Sequence, residues 1–339
     1  MRAGLGIGGA IHELPLQPQV RIGIHTGPVV VGEIGGGNKR EQLALGETPN
    51  IAARLQGLAE PDTVVLSAST QWLIAGVFDC QDLGTQPLKG IAIPLALYRV
   101  LGETTASHRL DAVPPTGLTP LVGREEELAL LHRRWAQTTD YEGQMVLLRG
   151  EPGIGKSRLV REMHEWVEQD GAFCVEFRCS SYHQNSALYP IIEYLQRLLL
   201  WQKDDTTETK LAKLHTTLAR YHFPQADTIA LFSALLSLPP PLDALPLNLS
   251  PQRQKQKTLD ALIAWLVEEA EQAPVYCAWE DLHWADPSTL ELLGLLINQT
   301  PTNQLFVLLT SRPEFIPPWG QHGHVSQLTL SRLGRRQVP

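Results

Sequence analysis

Gly150-Glu151-Pro152-Gly153-Ile154-Gly155-Lys156-Ser157 is the stretch that decides how this chain is read. The octet fits G-x-x-x-x-G-K-[ST], a pattern in which backbone N–H groups of a glycine loop cradle phosphates. The apolar run Met145-Val146-Leu147-Leu148 ahead of it reads as a buried strand. Behind it Leu159, Val160, Met163, Trp166 and Val167 recur at helical spacing, so a helix is expected from near Lys156. Strand, glycine loop and helix N-terminus in that order aim several N–H donors, and the positive end of the helix dipole, at one point. Lys156 is expected to reach the terminal phosphates and Ser157 to hold Mg2+. Average residue usage gives the octet by chance in about one chain in a hundred of this length, and demanding the flanking strand and helix lowers that much further. Gly150, Gly153, Ile154, Gly155, Lys156, Ser157 and the adjoining Arg158 are therefore the expected nucleotide-binding residues, with ATP and Mg2+ as the expected ligands.

Downstream, Val275-Tyr276-Cys277-Ala278-Trp279 is a mostly apolar strand that ends in Glu280-Asp281. Adjacent carboxylates at the exit of a buried strand suit nucleotide hydrolysis: Glu280 for a Mg2+-bound water, Asp281 to orient the attacking water. The plain alternative is a solvated acidic strand end. Asp286-Pro287 reads as a helix start with Asp286 as its cap, and that structural role suffices for it. Leu305 to Leu309 is another apolar strand, ending in Thr310-Ser311-Arg312. At the end of a neighbouring parallel strand, Arg312 would point at a γ-phosphate, where charge can be sensed or stabilised. A surface arginine at a strand end is the alternative.

Length and composition bound these readings. At 339 residues the chain can hold two domains with cores of their own. A hydrophobic share of 43% and a charged share of 19% describe an ordinary globular protein. A net charge of −8 opposes a nucleic-acid surface, and the basic cluster from Arg332 to Arg336 is too short to reverse it. Cys80, Cys174, Cys179 and Cys277 lack metal-site spacing and are expected to be reduced thiols. No apolar run approaches the length that spans a bilayer, and the N-terminus makes a poor signal peptide, so the expected location is cytoplasmic.

Ahead of the phosphate loop the chain carries a different pattern. Gly4, Gly6 and Gly9 formally fit G-x-G-x-x-G, but without a preceding strand a helix fragment or loop is the better reading. Val20 to His25 alternates like a strand, and Val29-Val30-Val31 leads to Gly35-Gly36-Gly37 in a hairpin-like signal. Gln42 to Leu45 is a possible third strand. Thr48 is placed to cap a helix with Pro49 at its first position and Ile51, Leu55 and Leu58 as its apolar stripe. A short helix near 70–75 and strands at 64–66 and 92–100 complete an α+β module ending near Leu101. Residues 102–118, polar and proline-rich, read as a linker. A second module runs from 119 to 339. A long helical stretch is expected between its phosphate-loop helix and its next strong strand, broken at Pro239-Pro240-Pro241.

Taken together, Gly123-Arg124-Glu125, the phosphate loop, Glu280-Asp281-Leu282-His283-Trp284-Ala285-Asp286 and Thr310-Ser311-Arg312 resemble an AAA-type ATPase of the STAND signalling class. The resemblance covers about residues 117 to 339 and implies a P-loop NTPase fold, an α/β parallel sheet with flanking helices. It also implies a place beside the adenine for Val122 and Gly123, and a switch set by bound ATP or ADP. The lid and sensor of that class would lie beyond Pro339. In the first module, Arg21-Ile22-Gly23-Ile24-His25-Thr26-Gly27, Gly32-Glu33-Ile34-Gly35 and Ala44 to Leu55 resemble the C-terminal half of a class III nucleotidyl cyclase domain, over about residues 20 to 101. Asn50 and Arg54, four apart on one helix face, would then position the ribose and stabilise the transition-state phosphates as ATP closes to cyclic AMP. Two departures stand out. The metal-holding aspartates of that family lie upstream of the Arg-Ile-Gly-Ile-His strand, and here the first Asp is Asp62. Leu43 occupies the position that usually reads the base, and a leucine cannot hydrogen-bond one. The expectation is a partial α+β cyclase domain (1–101) fused to a C-terminally truncated ATPase (119–339). Cyclase chemistry is expected to be inactive in this chain alone, and the first module to pair with a second copy or with another cyclase. An inert regulatory or dimerisation module is the alternative.

Overall fold

The computed structural model describes residues 19–34, 41–88, 91, 94–103, 121–202, 204–222, 225–239 and 249–333. The chain divides into two compact units, Met1–Pro120 and Leu121–Pro339. Gly4, Gly6, Gly9, Gly35 to Gly37, Pro240, Pro241 and nearly all of the expected linker lie outside the described residues.

In the first unit one sheet runs in the order β1 (Arg21–Ile24), β4 (Thr63–Ser67), β6 (Leu95–Glu103), β5 (Phe78–Gln86). β1 and β4 are parallel, and β6 is antiparallel to both of its neighbours. β2 (Val30–Ile34) and β3 (Glu41–Leu45) form a separate antiparallel pair, in which Leu43 stands opposite Gly32. The helix α1 (Glu47–Leu58) sends Ile51 and Leu55 into a core with Val65 and Leu97, and α2 (Ala68–Ile74) follows β4. Gly23 sets how closely α1 lies on β1. A Cβ there would sit 2.2 Å from the Gln56 backbone nitrogen and 2.4 Å from the Ala52 carbonyl oxygen, an approach only glycine permits.

Two expectations for this unit need correction. Thr48 does not cap α1: the helix starts at Glu47 behind Gly46, and the Thr48 hydroxyl donates to the Pro28 carbonyl at 2.7 Å. Pro49 falls third in the helix, still within the first turn, where a missing N–H costs no intrahelical bond. β5 lacks a strand signature because its pairing with β6 slips between Asp79 and Cys80 and again between Asp82 and Thr85, which breaks the period of two.

The second unit is built on a five-stranded, all-parallel sheet in the order β11 (Val325–Thr329), β7 (Gln144–Arg149), β10 (Leu305–Ser311), β9 (Val275–Glu280), β8 (Phe173–Arg178). Helices cover both faces, so the central strands read as continuous apolar runs. Phe306 and Leu308 of β10 join Leu131, Trp135, Leu159 and Met163 from α3 (Glu125–Thr139) and α4 (Lys156–Gln169). Val307 and Leu309 point the other way. There they meet residues of α5 (Tyr189–Leu198), α8 (Pro251–Gln272) and α9 (Pro287–Gln299). Two further helices, α6 (Thr207–Leu218) and α7 (Gln225–Leu235), pack Leu214, Leu218 and Phe232 into the same layer.

The stretch between α4 and β9 is not helical throughout, because β8 interrupts it. Only Val175 and Phe177 of β8 are fully buried, as expected of an edge strand with one wet face. The alternating Glu176 and Arg178 dilute its apolar signal. The four cysteines are free thiols. Among the described residues no helix is long and apolar enough to cross a membrane.

Candidate nucleotide site

The parallel register brings the C-terminal ends of β7, β10 and β9 side by side, with β10 between the phosphate loop and the acidic pair. Gly150 donates its N–H to the Ser311 carbonyl at 3.2 Å, which pins the loop to β10. Gly153 and Gly155 take φ of 75° and 104°, left-handed conformations that favour glycine, and Gly155 is the N-cap of α4. Lys156 is buried, and its Nζ donates to the carbonyls of Gly150 (2.7 Å) and Glu151 (3.0 Å). Burial pushes its pKa down, with Asp281 pulling up and Arg312 pushing down in turn. Arg158, two residues into the helix, pairs with Glu162 at 3.0 Å.

The Ser157 hydroxyl is near enough to the Glu280 carboxyl to hold its pKa down, so the two residues expected at the metal come together. Glu280 is 4% exposed, and burial raises its pKa against the opposing pull of Arg178 and Ser157. A hydroxyl and a carboxylate are hard oxygen donors, and Mg2+ takes one or two protein oxygens together with substrate phosphates and water. The pair fits that ion.

Asp281 sits in the left-handed region at φ 58° and donates its N–H to Thr310 Oγ1 at 2.9 Å. That bond locks the turn after β9 to β10 and leaves the Asp281 carboxylate half-exposed. His283 Nδ1 lies 3.9 Å from Asp281 Oδ1, and both ring nitrogens are buried without a hydrogen-bond partner. Burial lowers the His283 pKa, opposed first by Asp281. Arg312 does come to this end of the sheet, with its Cζ 5.3 Å from the centroid of the Trp284 ring. Asp286 caps α9 as expected, accepting from the N–H groups of Ser288 (2.9 Å) and Thr289 (3.1 Å) and also of Leu188 (3.2 Å).

Val122 is exposed and Gly123, at φ 73°, donates its N–H to Glu125 Oε1 at 3.0 Å. Their neighbour Arg124 is 4% exposed and donates to the carbonyls of Ile154 (3.2 Å) and Ser331 (2.7 Å). It thereby ties this segment to the phosphate loop, a role the sequence does not reveal. Arg178 is a second residue that sequence reasoning misses: its Nε donates to Glu280 Oε1 at 2.8 Å. The available signal is a lone cation closing an alternating strand.

In the first unit α1 carries Asn50 exposed and Arg54 partly exposed, beside its buried Ile51 and Leu55. The neighbouring Arg21-to-Gly27 segment is held by polar contacts, among them His25 Nδ1 to Ser67 Oγ at 2.7 Å and Thr26 Oγ1 to Thr70 Oγ1 at 3.0 Å. Burial lowers the His25 pKa.

Comparison with known proteins bears on both units. Residues 10–102 match the adenylate and guanylate cyclase catalytic domain, and residues 120–308 match the AAA ATPase domain. An uncharacterized protein of Rhizobium meliloti (strain 1021) is 29% identical over 98% of this chain, which spans 32% of that protein's length. Adenylate cyclase 1 of the same organism is 36% identical over 28% of this chain and 14% of its own. The crystal structure of the adenylyl cyclase CyaB from P. aeruginosa is 32% identical, covering 26% of this chain and 43% of that one, with a TM-score of 0.23. The chain belongs to the AAA ATPase domain family and carries, ahead of that domain, a match to the adenylate and guanylate cyclase catalytic domain.

Proposed function

We propose that residues 119–339 bind Mg·ATP at the phosphate loop and act as a nucleotide-dependent switch or slow ATPase of the STAND type. The convergence of Lys156, the Ser157–Glu280 pair and Asp281 at one end of the sheet carries this reading. Loop N–H groups between Gly150 and Lys156 would bind the phosphates, and Lys156 would exchange its two loop carbonyls for phosphate oxygens. Ser157 and Glu280 would hold Mg2+, whose contribution is to neutralise charge on the β- and γ-phosphates. Asp281, fixed through Thr310 and open to solvent, would orient the attacking water. Arg312 would leave Trp284 for the γ-phosphate, where a guanidinium stabilises developing charge. Val122 and Gly123 would lie beside the adenine. Saturable binding of Mg·ATP by the wild type that collapses in Lys156→Ala supports the proposal; equal binding by the two proteins sinks it.

For residues 1–101 the reading is half of a class III cyclase site. The side chains of Asn50 and Arg54 have no hydrogen bond or ion pair among the described residues, and a partner chain that supplies the metal-holding carboxylates would use both. Joined by such a partner, the ATPase would then control synthesis of cyclic AMP and pyrophosphate in the cytoplasm. Incubation of this chain with ATP and Mn2+ is expected to yield no cyclic AMP, and robust production contradicts the half-site reading.

A further inference from the structure

The acidic end of β9 does not stand alone. Parallel pairing sets Arg178 of β8 directly opposite Glu280, so both side chains leave the same end of the sheet as neighbours. Arg178 Nε donates to Glu280 Oε1 at 2.8 Å, with the two side chains 17% and 5% exposed. Behind it, Arg178 Nη2 lies 3.7 Å from Glu176 Oε2, and Glu176 Oε1 is 2.5 Å from His164 Nδ1. His164 is on α4, two turns after Ser157. The contacts Glu280–Arg178–Glu176–His164 therefore form a chain that runs from the end of β9 through β8 to the phosphate-loop helix.

We propose that Arg178 is a positioning residue for the Mg2+ site, fixing the rotamer of Glu280 so that its carboxylate stays turned to Ser157. This rests on the Mg·ATP reading of the phosphate loop. A carboxylate as buried as that of Glu280 would, without the guanidinium, be poorly compensated and free to rotate. The guanidinium stays charged at any working pH and is planar, so a directed N–H fixes the plane of its partner as a lysine ammonium cannot. Glu176 and His164 brace Arg178 from the other side. Partners of this kind, one step removed from the ion, typically alter metal affinity by about 10–100-fold when removed.

The test uses the full chain and a fluorescent ADP analogue, titrated in EDTA and then with increasing Mg2+. In Arg178→Met the Mg2+ concentration giving half of the Mg2+-dependent signal should rise about tenfold or more, while affinity in EDTA changes less than about twofold. Arg178→Lys should fall between, and Glu176→Gln should shift the midpoint in the same direction by less. These two variants decide the matter if Arg178→Met does not fold. An unchanged Mg2+ midpoint in folded Arg178→Met, or in both milder variants, overturns the proposal even if thermal stability drops. A wild type that binds in EDTA without responding to Mg2+ overturns it too. A wild type that binds no nucleotide under any condition sinks the ATP-site reading, and this proposal with it.

Discussion

The two units hold the residues proposed to meet phosphate in opposite ways. In the second, four separate elements deliver them: the loop after β7, the first turn of α4, and the ends of β9 and β10. Gly150 is tied to Ser311 and Asp281 to Thr310 by hydrogen bonds, and Ser157 comes up to Glu280. In the first, Asn50 and Arg54 stand on one helix with no side-chain bond to any described residue. A site assembled from several strand ends is preorganised by the fold itself. A pair of side chains on a single helix is only half a site, however well that helix is seated. On the proposed reading, the difference separates a unit that binds ATP by itself from one that needs a second surface.

The largest way to break this comparison is to unseat the lone helix. Leu55 is fully buried where α1 meets the sheet, and Leu55→Ala should cost about 2–5 kcal/mol of the first unit's stability by urea unfolding. A loss below about 0.5 kcal/mol would mean that α1 does not hold Asn50 and Arg54 in place. Next comes a brace of the second unit. Asp286 is 3% exposed and accepts from three backbone N–H groups, so Asp286→Ala should cost about 2–4 kcal/mol by the same measurement.

A smaller, pH-dependent effect follows from the His164–Glu176 contact. The hydrogen bond to Glu176 raises the His164 pKa; burial opposes it, and the charges of Glu176, Glu168 and Glu165 add to it. A histidine whose pKa is higher in the folded chain stabilises fully below its ordinary value near 6.5, and that contribution is lost as pH climbs through the folded value. The melting temperature of wild type should therefore exceed that of Glu176→Gln most near about pH 6, with the gap closing toward alkaline pH. A gap that widens as pH rises would contradict the geometry. Smallest of all, Arg54→Ala should leave stability within about 0.5 kcal/mol, because the side chain is partly exposed and has no partner among the described residues. Its effect should show only in cyclic-nucleotide production, when the chain is mixed with a cyclase that holds metal ligands.

How much of the fold and the site is legible in the sequence varies with the physics of each segment. The strand, loop and helix around Gly150–Ser157 are readable because β7 is buried on both faces and the glycine conformations leave a composition signal. The acidic end of β9 and the run of β10 are readable for the same reason. β8 is not, since an edge strand carrying Glu176 and Arg178 alternates weakly, and the Arg178–Glu280 pair depends on long-range register that sequence does not display. Nor does the sequence show that β10 touches β7 on one side and β9 on the other. Thr48 looks like a cap by spacing, but the competing acceptor on Pro28 lies 20 residues away. Asn50 and Arg54 are legible only through their resemblance to a cyclase segment, since nothing in their spacing separates them from solvent-facing residues.

One titration tests the central claim directly. The full chain is titrated with Mg·ATP by calorimetry, as wild type, as Lys156→Ala and as the double variant Asn50→Ala/Arg54→Ala. The expected result is one binding site per chain, lost in Lys156→Ala by about a hundredfold or more in affinity and unchanged in the double variant. Binding that survives Lys156→Ala but disappears with Asn50 and Arg54 would contradict the account, because it would place the working nucleotide site in the first unit.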